Sequence, residues 1–164
     1  MNGFVLVNKG TENVASCELI ELIKTKPDVK ETIIKFPIKS NLDLCSVCYK
    51  SQSISKVVLL LSEFDVEKTL KKTLENFNIN SKIKQWSKKK IRVDCKRVGE
   101  HKFNSVDISA GISKKLIKET KVEIDYDSPD IIFFIYVYKN LAYFGVDFSG
   151  IDLSKRQYKI FQHP

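Results

Sequence analysis

Histidine is nearly missing from this chain. Its 164 residues hold two, His101 and His163, and neither stands in a nucleophile–base signature, so nucleophilic catalysis lacks a recognisable base. Glycine is sparse and scattered: Gly3, Gly10, Gly99, Gly111, Gly145 and Gly150 never come within three positions of one another. That spacing excludes a P-loop and a dinucleotide fingerprint, both of which need clustered glycines to bring backbone N–H groups onto phosphate. Long apolar runs are also absent. The longest, Ile131 to Tyr138, is eight residues, against the roughly 20 that a membrane span requires. The opening MNGFVLVNKG has no basic region followed by a long apolar core, so no secretory signal is expected. Cytoplasm is therefore the expected compartment, and the four cysteines, Cys17, Cys45, Cys48 and Cys95, are expected as reduced thiols. Cys45 and Cys48 form a lone C-x-x-C, half of a zinc ligand set with no second pair. The acidic group Glu123, Asp125, Asp127 and Asp130 lacks the central Gly and closing Glu of a calcium loop. No metal site and no catalytic residue is expected.

What the chain does have is positive charge, unevenly placed. The net charge is +8; residues 1–82 carry 12 Lys+Arg against 10 Asp+Glu, and residues 83–164 carry 16 against 10. The second half thus holds most of the excess, a distribution that suits a polyanion. A hydrophobic fraction of 43% with 29% charged residues belongs to a folded globular protein, long enough for one ordinary domain or two very small ones.

Periodicity orders the first half as strand, helix, strand, helix, strand. The strands are Phe4 to Asn8, Glu31 to Ile38 and Ile54 to Leu61; the helices run from Thr11 to about Lys24 and from Asn41 to Lys50. Lys26-Pro27-Asp28 reads as a stop and turn between them. This is a ferredoxin-like pattern or a reduced version of it. In the second half, Asp65 is placed to cap a helix with Val66, Leu70, Leu74 and Phe77 on one face, and Ile83 and Trp86 sit in a short apolar turn. Ser105 and Asp107 open a helix to about Thr120, with Ile108, Ile112 and Leu116 facing inward and Lys114, Lys115 and Lys118 forming a basic flank. Val122 to Ile124 is a brief strand, and Ile131 to Tyr138 with Leu141 to Phe148 make a hairpin about Lys139-Asn140.

The segment Ile91 to Ser105, IRVDCKRVGEHKFNS, joins these features. Ile91, Val93 and Cys95 alternate with Arg92, Asp94 and Lys96 as on a half-buried strand. Arg97, Gly99, His101 and Lys102 then gather positive charge in a turn just before a helix N-terminus, where spare N–H groups favour anions. The pattern points to phosphate binding, and it contains no nucleophile and no acid–base pair.

Three stretches carry a resemblance: IRVDCKRVGEHKFNSVDI, VEIDYDSPDIIFFIYVYKNLAYFGVDFSG and DLSKRQYKIFQHP. They resemble the basic strand with its helix start, the paired strands ending in an acidic-Phe-Ser-Gly turn, and the closing basic-aromatic segment of the THUMP domain. That module is found in tRNA-modifying enzymes. Lys96, Arg97, His101 and Phe103 stand in matching places. NKGTENVASCELIELI and YKSQSISKVVLLL are similar to the ferredoxin-like domain that precedes THUMP, most of all in archaeal-type tRNA guanine-N2 methyltransferases acting on guanine-10.

The resemblance implies an α+β chain in which an N-terminal ferredoxin-like domain, 1–63, packs on an α/β THUMP domain, 64–160. Residues 161–164 would begin a linker to a catalytic domain that is absent here; the alternative is a stand-alone THUMP adaptor recruiting a separate tRNA-modifying enzyme. It further implies docking of the acceptor region of tRNA and, in the catalytic domain, S-adenosylmethionine and an Asp/Asn-Pro-Pro-aromatic motif. The four prolines of this chain are all isolated, and no cofactor is expected in the chain itself. The expected partners are tRNA and a methyltransferase domain in cis or an enzyme in trans, with no membrane. The charges suited to RNA phosphates are Lys96, Arg97, His101, Lys102, Lys114, Lys115, Lys118, Arg156 and Lys159, with Tyr158 suited to stacking on a terminal base.

Overall fold

The computed structural model describes residues 1–155. Two compact units divide the chain: one comprises Met1–Leu59 and the chain from Asp147 onward, the other Leu60–Val146. The expected α+β class is what is found.

The first unit runs strand Asn2–Val7 (β1), helix Glu12–Ile23 (α1), strands Asp28–Lys30 (β2) and Ile33–Pro37 (β3), helix Asn41–Lys50 (α2), and the start of strand Ile54–Asp65 (β4). Its strand order is β2-β3-β1-β4, with β3 antiparallel to both β2 and β1. This is the βαββαβ arrangement of ferredoxin-like units, with one strand more than periodicity disclosed. β2 follows directly on the Lys26-Pro27 stop signal. It is three residues long and exposed throughout, so it has no buried face to leave an alternating pattern. It exists through β3, with Val29 opposite Ile34, and through the turn at Thr32 (φ 64°). Left-handed backbone is unfavourable for a β-branched residue. Glu12 holds the turn, one carboxylate oxygen accepting the Thr32 N–H at 3.1 Å and the other the Gly10 N–H at 2.7 Å. These bonds, with the one from its own backbone N–H the largest effect, keep the Glu12 carboxyl below its usual range. The helix α2 opens where expected, on a Ser40/Asp43 capping box, and Phe4, Leu19, Ile34, Leu44, Val47 and Val57 are fully buried beneath the helices.

The chain from Asp147 returns to this unit through a buried ion pair. The Asp147 side chain is fully buried; one oxygen meets Lys56 of β4, and the other accepts from the Ser149 N–H, the Ser149 hydroxyl and the Gly150 N–H. Phe148 N–H then donates to Val57 O at 2.9 Å. The acidic-Phe-Ser-Gly turn is thus a clamp on β4.

The second unit continues β4 to Asp65, four residues past the predicted end. It then runs helices Leu70–Asn76 (α3) and Ser81–Trp86 (α4), strand Ile91–Val98 (β5), helix Ser105–Thr120 (α5), and strands Ile131–Tyr138 (β6) and Leu141–Asp147 (β7). The order is β4-β7-β6-β5. Asp65 does not cap a helix as predicted. It ends a strand, and α3 starts five residues later because Val66 N–H pairs with Asn140 O and the Glu67 N–H with the Thr73 hydroxyl. The apolar turn at Ile83 is a short helix capped by Asn80, and the brief strand at Val122–Ile124 is a single bridge from Ile124 to Ile91.

The hairpin β6–β7 and the helix α5 lie where predicted. Ile108, Ile112 and Leu116 are all fully buried. Phe64, Phe77, Phe144 and Phe133 form a chain of ring contacts with centroids 4.9 to 5.3 Å apart, geometry that adds to the area term of burial. At Gly111 of α5, a Cβ would lie 2.5 Å from Leu74, so the missing side chain is what lets α3 approach. No helix among the described residues is long and apolar enough to cross a membrane.

Removing the buried carboxylate in Asp147→Ala takes the ion-pair partner from Lys56 and the acceptor from three donors. Such losses cost about 3–5 kcal/mol, to be read as a lowered urea midpoint; an unchanged midpoint would show that the clamp is dispensable.

Candidate nucleic-acid interface

Alternation along β5 comes out as predicted: Ile91 and Val93 are buried, while Lys96 is exposed. Arg92 is not available to a ligand. Its guanidinium forks onto Asp94 at 3.0 and 3.1 Å and reaches Tyr126 O at 3.1 Å. Lys96 enters no ion pair among the described residues. Burial, opposed only by the Arg97 charge, pushes the Cys95 thiol up to about 12, which makes it unreactive near neutral pH.

Beyond β5 the chain turns at Gly99 (φ 116°), where an added Cβ would sit 3.3 Å from the His101 ring. Arg97 Nη1 donates to Gly99 O at 2.9 Å and to His101 Nδ1 at 3.0 Å, and His101 Nε2 lies 2.7 Å from Lys139 O. The partners fix the tautomer. A carbonyl only accepts and a guanidinium only donates, so Nε2 carries the hydrogen and Nδ1 accepts. Both ring nitrogens are used, and the ring leans on buried Phe103 with centroids 5.5 Å apart. Arg97 Nη1 and His101 therefore stitch the turn to the β6–β7 hairpin.

Lys102 is exposed and lines a cleft of about 610 Å³ with Val66, Glu67, Lys68, Glu100, His101 and Asn140. Two lysines face two glutamates here, so the cleft carries no net charge. The helix N-terminus next to it is also answered. Asn104 Oδ1 accepts the Asp107 N–H at 2.8 Å and the Asp107 carboxylate accepts the Asn104 N–H at 2.9 Å, placing a negative charge where a phosphate would otherwise sit.

On α5 the predicted basic flank divides. Lys114 and Lys118 are exposed, but Lys115 turns inward. Its ammonium donates to Leu74 O at 3.1 Å and to Phe77 O, and lies 5.8 Å from the Phe77 ring centroid. It satisfies carbonyls left open at the end of α3. Arg156, Tyr158 and Lys159 lie outside the described residues.

A second cleft, of about 520 Å³, was not foreseen. It is lined by Ser87, Lys88, Lys89, Lys90, Thr120, Lys121, Val122, Glu123 and Asp130. The Lys88-Lys89-Lys90 run was visible in the sequence, but only the return of α5 brings Lys121 to it. Lys90 is engaged. Its ammonium lies 3.2 Å from Asp125 and 3.9 Å from Glu123; the hydrogen bond to Asp125, then the charge of Glu123, raise its pKa. Asp125 is lowered in turn, first by the Ser128 N–H and then by Lys90.

The family model of the THUMP domain matches residues 62–147, just over half of the chain. This chain belongs to the THUMP family. The match ends on the clamp residue, Asp147. Over its whole length the chain is 24% identical to a tRNA (guanine(6)-N2)-methyltransferase of Methanocaldococcus jannaschii, and spans 46% of it. Among solved structures, TrmN from Thermus thermophilus superposes with a TM-score of 0.69 at 18% identity, covering 97% of this chain and 49% of that one. A 4-thiouridine synthetase in complex with RNA, with ATP bound, gives 0.57 at 19% identity over 89% of this chain and 40% of that one. The chain spans less than half the length of these relatives.

Lys115→Met removes the ammonium from two THUMP-domain carbonyls. Hydrogen bonds to charged groups contribute about 1.5–3 kcal/mol, so the urea midpoint should fall by a corresponding amount; a variant as stable as the parent would return Lys115 to the ligand-facing set.

Proposed function

We propose that this chain is the RNA-holding part of a tRNA guanine-N2 methyltransferase, gripping the acceptor region of tRNA while a methyltransferase domain of the same polypeptide acts on the base. The carrying observation is the alignment of the whole chain with the Methanocaldococcus jannaschii tRNA enzyme, of which it spans 46%. Residues 83–164, which include most of the THUMP match, also hold most of the net charge of +8. The structure of a THUMP-like relative with RNA supports the partner class. Guanine 6, the position in the relative's name, is the position we assign to the whole enzyme, in place of the guanine-10 that the sequence resemblance implied. A cytoplasmic setting follows from the tRNA substrate.

S-adenosylmethionine is the expected methyl donor of that enzyme. Scattered singly, the six glycines of this chain form no loop that fits it, so the chain's own share is binding and orientation. Phosphate contacts fix position without reading bases, which is the task required of a module that presents one nucleotide to a distant active site.

If roughly five phosphates are met, affinity for a tRNA transcript should fall about a hundredfold or more between 50 and 200 mM salt. Filter binding across a salt series measures this directly. Failure to bind tRNA, or binding indifferent to salt, would rule the reading out.

A further inference from the structure

We infer that the lysine cleft at the C-terminal end of α5, formed by Lys88, Lys89 and Lys121 and extended by Lys118 and Lys114, is the main phosphate-binding surface of the THUMP domain for RNA. The inference rests on the RNA-binding reading above and names the surface that performs it.

Charge decides between the two clefts. The one beside the Gly99 turn balances Lys68 and Lys102 against Glu67 and Glu100. The cleft at the far end of β5 is lined by four lysines and two carboxylates, and Asp125, held by Lys90, makes a third carboxylate, for a net of +1. The negative end of the α5 dipole subtracts about half a charge, which leaves a small positive excess that the exposed Lys114 and Lys118 extend. The carboxylates there are also occupied. Lys90 draws Asp125 and Glu123 to itself, and its backbone N–H donates to Asp130 at 3.2 Å. Lys90 thereby engages the neighbouring carboxylates, and Lys88, Lys89 and Lys121 enter no ion pair among the described residues. All three are exposed.

Spacing favours a polymer over a small anion. Lys114 and Lys118 lie one turn apart on α5, Lys121 is the left-handed cap that ends it (φ 56°), and at 1.5 Å per residue the three positions span about 10 Å. The stripe leads to Lys121 at the cleft mouth, and α5 holds its spacing fixed. No glycine loop converges N–H groups on a single phosphate. A row of separate ammonium groups instead matches repeated phosphates, with side chains free to follow a backbone whose sequence varies.

The test uses the full chain and an unmodified tRNA transcript in filter binding at several salt concentrations. K88A/K89A/K121A is compared with wild type, with K30A/K39A/K50A, which removes three exposed charges from the first unit, and with K88R/K89R/K121R, which keeps the charge. Circular dichroism checks the fold of each. Loss of three contacts should flatten the log–log salt slope by roughly 2 to 3 and weaken binding at least tenfold at moderate salt. The control triple and the arginine triple should stay within about threefold of wild type. Lysine acylation read by mass spectrometry should also show Lys88, Lys89 and Lys121 protected by tRNA and Lys30, Lys39 and Lys50 not. A folded K88A/K89A/K121A protein with wild-type affinity and slope overturns the cleft assignment while leaving RNA binding intact. If the wild-type chain binds no tRNA, both readings fall together.

Discussion

Parallel pairing of β5 with β6 is the constraint from which the second unit follows. Two parallel strands cannot be joined by a tight turn; the chain must cross back over the sheet. Here α5 makes the crossing. Sixteen helical residues at 1.5 Å rise cover about 24 Å, close to the length of the eight-residue strand it spans. The crossing therefore fixes two loop clusters at opposite ends of β5. One holds Gly99, His101 and Lys102; the other holds Lys121 and the 123–130 turn beside Lys88 and Lys89. Burial of Ile108, Ile112 and Leu116 sets the rotation of α5, and that rotation decides which lysines face water.

The same residue type meets opposite fates across this helix. Lys114 and Lys118 are exposed, whereas their neighbour Lys115 is drawn inward to the carbonyls of Leu74 and Phe77. The α3 helix is seven residues long and ends against α5, so its open carbonyls lie within reach of a long flexible cation. Arg97 Nη1 and the His101 ring are likewise drawn to Gly99 O and Lys139 O. In each case a backbone acceptor takes up a side-chain donor that composition alone would assign to a ligand.

Legibility followed the range of the interaction. The helix α5 was readable because its Ile108, Ile112 and Leu116 stripe is local and its Asn104/Asp107 cap lies within one turn. The hairpin at Lys139-Asn140 was readable for the same reason. The short exposed strand β2 was not, since its partner β3 supplies the reason for its existence. Asp65 misled because an acidic residue before an apolar stripe signals a cap equally well when the strand has not yet ended. At the candidate site the basic character of the second half was evident, but the sorting of its lysines into engaged and available depended on Asp125, Glu67, Glu100 and two carbonyls distant in sequence.

Lysine as the available cation has a functional consequence. Lys88, Lys89, Lys114, Lys118 and Lys121 present point charges on flexible stems, and the planar Arg92 fork, which would read a base edge in fixed geometry, is already spent on Asp94. A surface of this composition gains affinity from phosphates and little discrimination from bases. On the proposed reading, discrimination then comes from shape, that is, from which phosphates of a folded RNA fall along a row about 10 Å long. Holding the row on α5 makes it rigid, because the helix is anchored by three fully buried side chains. On the proposed reading, a module built this way would select a fold of RNA and leave the identity of the modified base to the active site it serves.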